Sequence, residues 1–200
     1  GCALLLIARG WYAHDLKFRF LVWNLFLALI PAFAAAGVEV SDRRGPRISA
    51  AFWGLLWLLF LPNAPYLITD LVHLHPRPPV PYWFDIVLFT TFAGAGVLAA
   101  FSSFQDVHLV VSRRFGRLAS WGVLALAAFA SGFGIYLGRV QRMNSWDVFT
   151  RPDDLWPAVT ERLFAPWTQP SALAVTLLYG AMVLFGYIAV RVILKPRVQS

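Results

Sequence analysis

Residues 172–190 read ALAVTLLYGAMVLFGYIAV, nineteen residues without one charge. About 20 apolar residues are what an α-helix needs to cross roughly 30 Å of hydrocarbon, so this stretch reads as a membrane span. Working back from it, Leu118–Leu137, Tyr82–Phe101, Ile48–Val72 and Phe20–Val38 follow the same pattern, the second and third of these with one aspartate each. The whole chain agrees: 59% of its 200 residues are hydrophobic and 14% charged, where soluble domains carry about 25% charged residues. The expected fold is all-α, a polytopic transmembrane helical bundle forming a single integral membrane domain over residues 1–200. It has five full spans, plus a partial one in the apolar stub Cys2–Ala8 (CALLLIA). A single cysteine, Cys2, excludes an internal disulfide.

The net charge of +7 would point a soluble chain toward nucleic acid, but in a membrane protein it reports orientation, because Lys and Arg collect in cytoplasmic loops. One side collects eight basic residues (Arg9, Lys17, Arg19, Arg77, Arg139, Arg142, Arg151, Arg162) and seven of the ten acidic ones. The other collects nine basic residues, all in short segments near span ends, including Arg113, Arg114 and Arg117 beside His108. That second side and the C-terminus are expected in the cytoplasm of a bacterial plasma (inner) membrane, its arginines meeting anionic headgroups rather than nucleic acid. The nearly neutral first side, dense in both signs, then faces outward. Within its longest loop, PDDLWPAVTERLF (152–164) gathers Leu155, Trp156, Val159, Leu163 and Phe164 on one helical face, with Asp154, Glu161 and Arg162 elsewhere. This reads as a short interfacial helix, in a loop whose Trp146, Trp156 and Trp167 suit anchoring.

Two outward-facing motifs hold the candidate chemistry. In LPNAPYLITDLVHLH (61–75), Pro62 and Pro65 cannot continue an unbroken helix. The second span is therefore expected to kink near Asn63, with Asn63 as N-cap of a second segment and its positive dipole end inside the membrane, or to bend merely for packing. Beyond the break, Tyr66, Thr69, Asp70 and His73 share one helical stripe, and Asp85 starts the next span only a short loop away. Intramembrane carboxylates face a cavity or a partner. Asp70, His73 and Asp85 are thus candidate catalytic residues. Together with His75 they also supply ligand types for a divalent metal such as Zn²⁺ or Mn²⁺, although the spacing matches no established metal motif and hydrogen-bonded structural pairing is the commoner outcome.

The second motif is GIYLGRVQRMNSWD (134–147). Gly134 and Gly138 form a GxxxG pair that permits close helix approach. Arg139 and Arg142, three apart, would present two guanidinium groups on one face, to bind phosphate or carboxylate or to neutralise Asp70, Asp85 and Asp147 internally. Candidate substrate-binding residues are therefore Asn63, Tyr66, Arg139, Arg142, Asn144 and Asp147.

LPNAPYLITDLVHL, the following WFD and IYLGRVQRMNSWD, with FLVWNLFLALIP (20–31) before them, resemble the bacterial multi-pass membrane family known as domain of unknown function 1361. The resemblance implies a polytopic helical fold and brings no activity, substrate or cofactor with it. From the residues, the leading function is a membrane-embedded enzyme or binding protein for a lipid-linked or anionic small molecule. A small transporter component and a non-catalytic membrane subunit are the alternatives; membrane lipids are the expected partners in each case. No GxxxxGK[ST], HExxH or CxxC motif supports nucleotide, zinc-protease or thiol-redox chemistry.

Overall fold

Helices follow from composition almost everywhere, because a backbone placed in hydrocarbon must satisfy its own N–H and C=O groups. The computed structural model describes residues 1–164 and 169–193, so Trp167, Lys195 and Arg197 lie outside the described residues. The elements are α1 (Cys2–Ala13), α2 (Phe20–Arg44), α3 (Arg47–Phe60), α4 (Asn63–Thr69), a 3-10 turn (Asp70–His73), α5 (Tyr82–Arg139), α6 (Asp147–Thr150), α7 (Pro152–Phe164) and α8 (Pro170–Ile193). Four helical runs among them are long and apolar enough to cross a membrane: Phe20–Arg44, Arg47–His73, Tyr82–Arg139 and Pro170–Ile193. Apolar side chains such as Phe33, Leu98, Leu126 and Phe185 are two-thirds or more exposed. A helix this apolar on its open face has lipid for a solvent.

Contacts divide the chain into two compact units, Gly1–Val110 and Val111 onward. In the N-terminal unit, Leu6 of α1, Leu21 and Ala28 of α2, Leu67 of α4 and Leu88 and Phe92 of α5 share one buried core. Helix α1 runs on past the expected end of the apolar stub to Ala13, closing on His14 in the left-handed region (φ 52°). Arg9 therefore sits inside a helix and is buried, not in a loop.

The proline pair acts as a break that the surrounding groups repair. Helix α3 ends at Phe60 and α4 begins at Asn63, with both Leu61 and Pro62 kept in right-handed helical conformation. Pro65 has no N–H to give the Leu61 carbonyl, and the Ala64 N–H serves that carbonyl instead, at 3.2 Å. The Phe60 carbonyl, which Ala64 would otherwise reach, takes the Asn63 side-chain amide at 2.9 Å. Asn63 is thus not an N-cap: it sits within the helix and donates backward, and the amides of Ala64 and Tyr66 already have partners. No open positive helix end arises here.

Close approach follows from small residues. A methyl group at Gly96 of α5 would meet the Ala64 carbonyl and Leu67, and one at Gly37 of α2 would meet the Trp53 ring. Trp57 of α3 donates its indole N–H to Ser103 Oγ at 3.1 Å. In the C-terminal unit, Gly132 lies against the Thr176 carbonyl and the Gly180 amide of α8, and Gly180 against Phe129. The helix of 58 residues is interrupted at Gly116 (φ 84°, ψ 170°), a conformation that L residues rarely adopt.

Gly96→Ala should therefore destabilise by about 1–3 kcal/mol, since the obstructing carbonyl is backbone and cannot swing away. Gly94→Ala, on the same helix with open space around it, should be neutral or slightly stabilising. Thermal melts in detergent compare the two; equal melting temperatures would refute the close packing.

Candidate functional site

Asp85 is buried one turn inside α5, and its partner is Arg9 of α1. Arg9 Nε donates to Asp85 Oδ1 at 2.8 Å, with both side chains 2% exposed. The same guanidinium donates through Nη1 to Asp15 Oδ1 at 2.7 Å, so one arginine holds two carboxylates. Burial pushes the Asp15 carboxyl up, but the Lys17 amide and the Arg9 guanidinium donating to it hold it below its ordinary value. Arg9 also stands 4.2 Å from the ring centroid of buried Phe18, and Arg77 stands 5.1 Å from it. Phe18 therefore gathers the α1–α2 connection and the segment before α5 into one end of the unit. Arg77 is steadied there by its Nε donating to His75 Nε2 at 2.8 Å. Phe18 packs edge-on against Phe89, and Phe20 in the same manner against His73, which brings exposed His73 to this end.

Asp70 opens the 3-10 turn, buried, and accepts from Asn24 Nδ2 of α2 at 2.8 Å. It is therefore tied to α2, whereas Asp85 is tied to α1. Thr69 donates to the Tyr66 carbonyl at 2.7 Å, and Tyr66 and Asn63 are half-buried. Along the expected stripe, burial falls from Asp70 to exposed His73, the last residue of the 3-10 turn.

In the C-terminal unit, Asp147 begins α6, buried, and pairs with Arg151 Nη2 at 2.7 Å. It also accepts the Asn144 amide at 2.7 Å and the Thr150 hydroxyl at 2.9 Å. The Arg151 guanidinium, against the opposing effect of burial and with the Asn144 and Thr150 donors adding to it, lowers the Asp147 carboxyl to about 2. Arg139 and Arg142 do not share a helical face. Helix α5 ends at Arg139, the Met143 N–H turns back to the Leu137 carbonyl at 3.0 Å, and exposed Arg142 lies in the left-handed region (φ 56°). Helical spacing carries no meaning past the last helical residue.

An internal ion-pair network thus exists, and at Asp85 and Asp147 it uses arginines other than those expected. Arg9, not Arg139 or Arg142, neutralises Asp85; Arg151 neutralises Asp147; and Asn24 holds Asp70. Among the described residues no group of three or more His, Cys, Asp or Glu is gathered to hold a metal, so Asp70, Asp85, His73 and His75 do not form the ligand set their types would allow. Arg162 is also misplaced by the helical wheel: it is buried on a stripe with Leu155 and Ala158, while Trp156 and Phe164 are exposed. Sequence reasoning missed Arg9, although an arginine inside LLLIARGWYA is a charge in an apolar helix and so demands a partner. It likewise missed Asn24, the one strongly polar side chain of FLVWNLFLALIP. Arg151, four residues after Asp147, was legible as an i, i+4 partner.

A family model described as "Protein of unknown function (DUF1361)" matches residues 23–185. The match takes in Asn24, Asp70, Asp85 and Asp147 and begins after Arg9. No curated protein and no solved structure matches the chain.

Two expectations follow. Arg9→Gln should cost about 3–5 kcal/mol by leaving Asp85 buried without its cation, and the paired change Arg9→Met with Asp85→Leu should recover most of that; a melting temperature for Arg9→Gln equal to the native one would refute the pairing. Asp147, depressed from 3.8 to about 2, contributes stability that is complete above its unfolded value and fades as pH falls toward 2. Hydrogen-exchange protection at Asn144 and Asp147 should hold at pH 5 and decline only toward pH 2, while Asp147→Asn should show low protection with no such step.

Proposed function

Because the chain belongs to the DUF1361 family, whose description assigns no function, we propose from its geometry a multi-pass bacterial plasma-membrane protein that binds an anionic, lipid-linked ligand. The ligand meets the Arg77 end of the N-terminal unit. One observation carries this reading. Arg77 is positioned by the Phe18 ring and by His75, yet among the described residues its terminal amino groups donate to no protein acceptor. A fixed guanidinium with its fork uncommitted suits a phosphate or carboxylate. Exposed Arg19 adds positive charge, while Lys17 offsets Asp15 at 3.9 Å. Trp11, Tyr12, Tyr82 and Trp83, all exposed, are residue types that settle at the headgroup level of a bilayer.

The carboxylates are less suited to chemistry than to support. A general base must come within hydrogen-bond reach of the proton it abstracts, whereas Asp85 and Asp70 are buried and turned toward Arg9 and Asn24 inside the unit. Binding therefore accounts for this end better than catalysis does. Five crossings fit the insertion: a single helix over Tyr82–Arg139 would reach roughly 87 Å at 1.5 Å per residue, and Gly116 interrupts it among Arg113, Arg114 and Arg117, charges that belong outside hydrocarbon. With those arginines in the cytoplasm, the Arg77 end faces outward.

Protein purified from its own membranes should retain a phosphorus-containing lipid detectable by mass spectrometry, and Arg77→Gln should release most of it. A native protein that carries none, or an Arg77→Gln variant that carries as much, would overturn the assignment.

A further inference from the structure

The C-terminal unit holds a buried cation that this reading does not use. Arg162 of α7 is 9% exposed. Its Nε donates to Tyr136 Oη at 3.3 Å, its Nη1 donates to the Ala158 carbonyl at 2.7 Å, and its guanidinium stands 5.8 Å from the Tyr136 ring centroid. The phenol is fixed in turn, donating to Gln169 Oε1 at 2.8 Å and receiving Gln141 Nε2 at 3.2 Å. Tyr136 is buried at the last turn before Arg139, so helix, α7 and the start of α8 converge on one hydroxyl.

Charge is not balanced at this point. The carboxylate nearest Arg162 is Glu161, at 3.5 Å, and its side chain is 59% exposed. Among the described residues, Arg162 Nη2 has no protein acceptor. A buried guanidinium held at two nitrogens, with a third free and no buried counter-charge, is unfavourable alone and already organised for an oxyanion, since little side-chain freedom remains to be lost on binding.

We propose that Arg162, positioned by Tyr136, is a binding site for one phosphate oxyanion. Phe149, Trp156 and Phe164, exposed on α6 and α7, suit the interface where phospholipid phosphates lie, so a headgroup is the expected source and free phosphate the other. Arg162 supplies the charge-assisted hydrogen bonds. Tyr136 acts through Arg162, as a positioning residue.

The test uses the full chain in a neutral detergent, with native mass spectrometry counting bound short-chain phosphatidylglycerol against diacylglycerol of the same tails. The native protein should hold one more phosphatidylglycerol than Arg162→Gln does, in the Arg77→Gln background as in the native one, and no corresponding diacylglycerol. Affinity should fall at least about tenfold in Arg162→Gln, and by a smaller factor in Arg162→Lys and Tyr136→Phe. Stabilisation by inorganic phosphate, lost in Arg162→Gln, would identify free phosphate as a sufficient ligand. Equal retention of diacylglycerol, or unchanged phosphatidylglycerol binding in Arg162→Gln, overturns the site; should that variant not fold, unchanged binding in both Arg162→Lys and Tyr136→Phe does so. A loss confined to Arg77→Gln would leave the N-terminal site standing and remove this one.

Discussion

Arg9 and Asp85 meet 2.8 Å apart with almost no solvent on either side chain, and one end of the N-terminal unit is arranged around that pair. In a medium of low polarity an unpaired charge is untenable, so each member fixes the other. Arg9 arrives on α1 and Asp85 on α5, and their contact joins the first helix to the third apolar run. Because Arg9 also takes Asp15 and lies over Phe18, the α1–α2 connection is held against the same point. Arg77 then finds a prepared ring to rest on. A cation with no carboxylate of its own is left beside a neutralised core, which is the condition for binding an anion from outside.

The same constraint governs the backbone. Pro65 removes a donor from a helix surrounded by apolar groups, and that loss is made good by a shifted amide at Ala64 and a side-chain amide at Asn63. The break is thereby kept helical in conformation, and its neighbour Ala64 can be approached by Gly96. Proline, asparagine and glycine form one local device: the first disrupts, the second repairs, and the third lets the next helix close in. The Asn63 side chain, expected to bind ligand, donates here to the Phe60 carbonyl.

Legibility in the sequence divides along physical lines. The apolar runs were readable because hydrophobicity is a property of each residue summed over a window, independent of partners. That Asp70 and Asp85 would be engaged was readable as well, since a carboxylate in an apolar helix needs a partner wherever it is. Which partner was not readable. Arg9 is 76 positions from Asp85, and local spacing favoured Arg139 and Arg142 only because they lie in a conspicuous motif. Their i, i+3 relation assumed a helix that stops at Arg139. The wheel drawn for residues 152–164 placed Arg162 away from the apolar residues, but it could not foresee that a buried tyrosine would draw the arginine inward.

The sequence alone determined the helical class, the apolar runs, the family and the presence of charges that hydrocarbon would not leave unpaired. Tertiary structure decided which charges cancel and which stay available: Arg9 is spent on Asp85, whereas Arg77 and Arg162 are positioned by aromatic rings and keep donors to spare. The reason is range. Hydrophobic transfer acts residue by residue and is recorded in composition, but a charge-assisted hydrogen bond acts only near 3 Å, and only the folded chain brings distant residues that close.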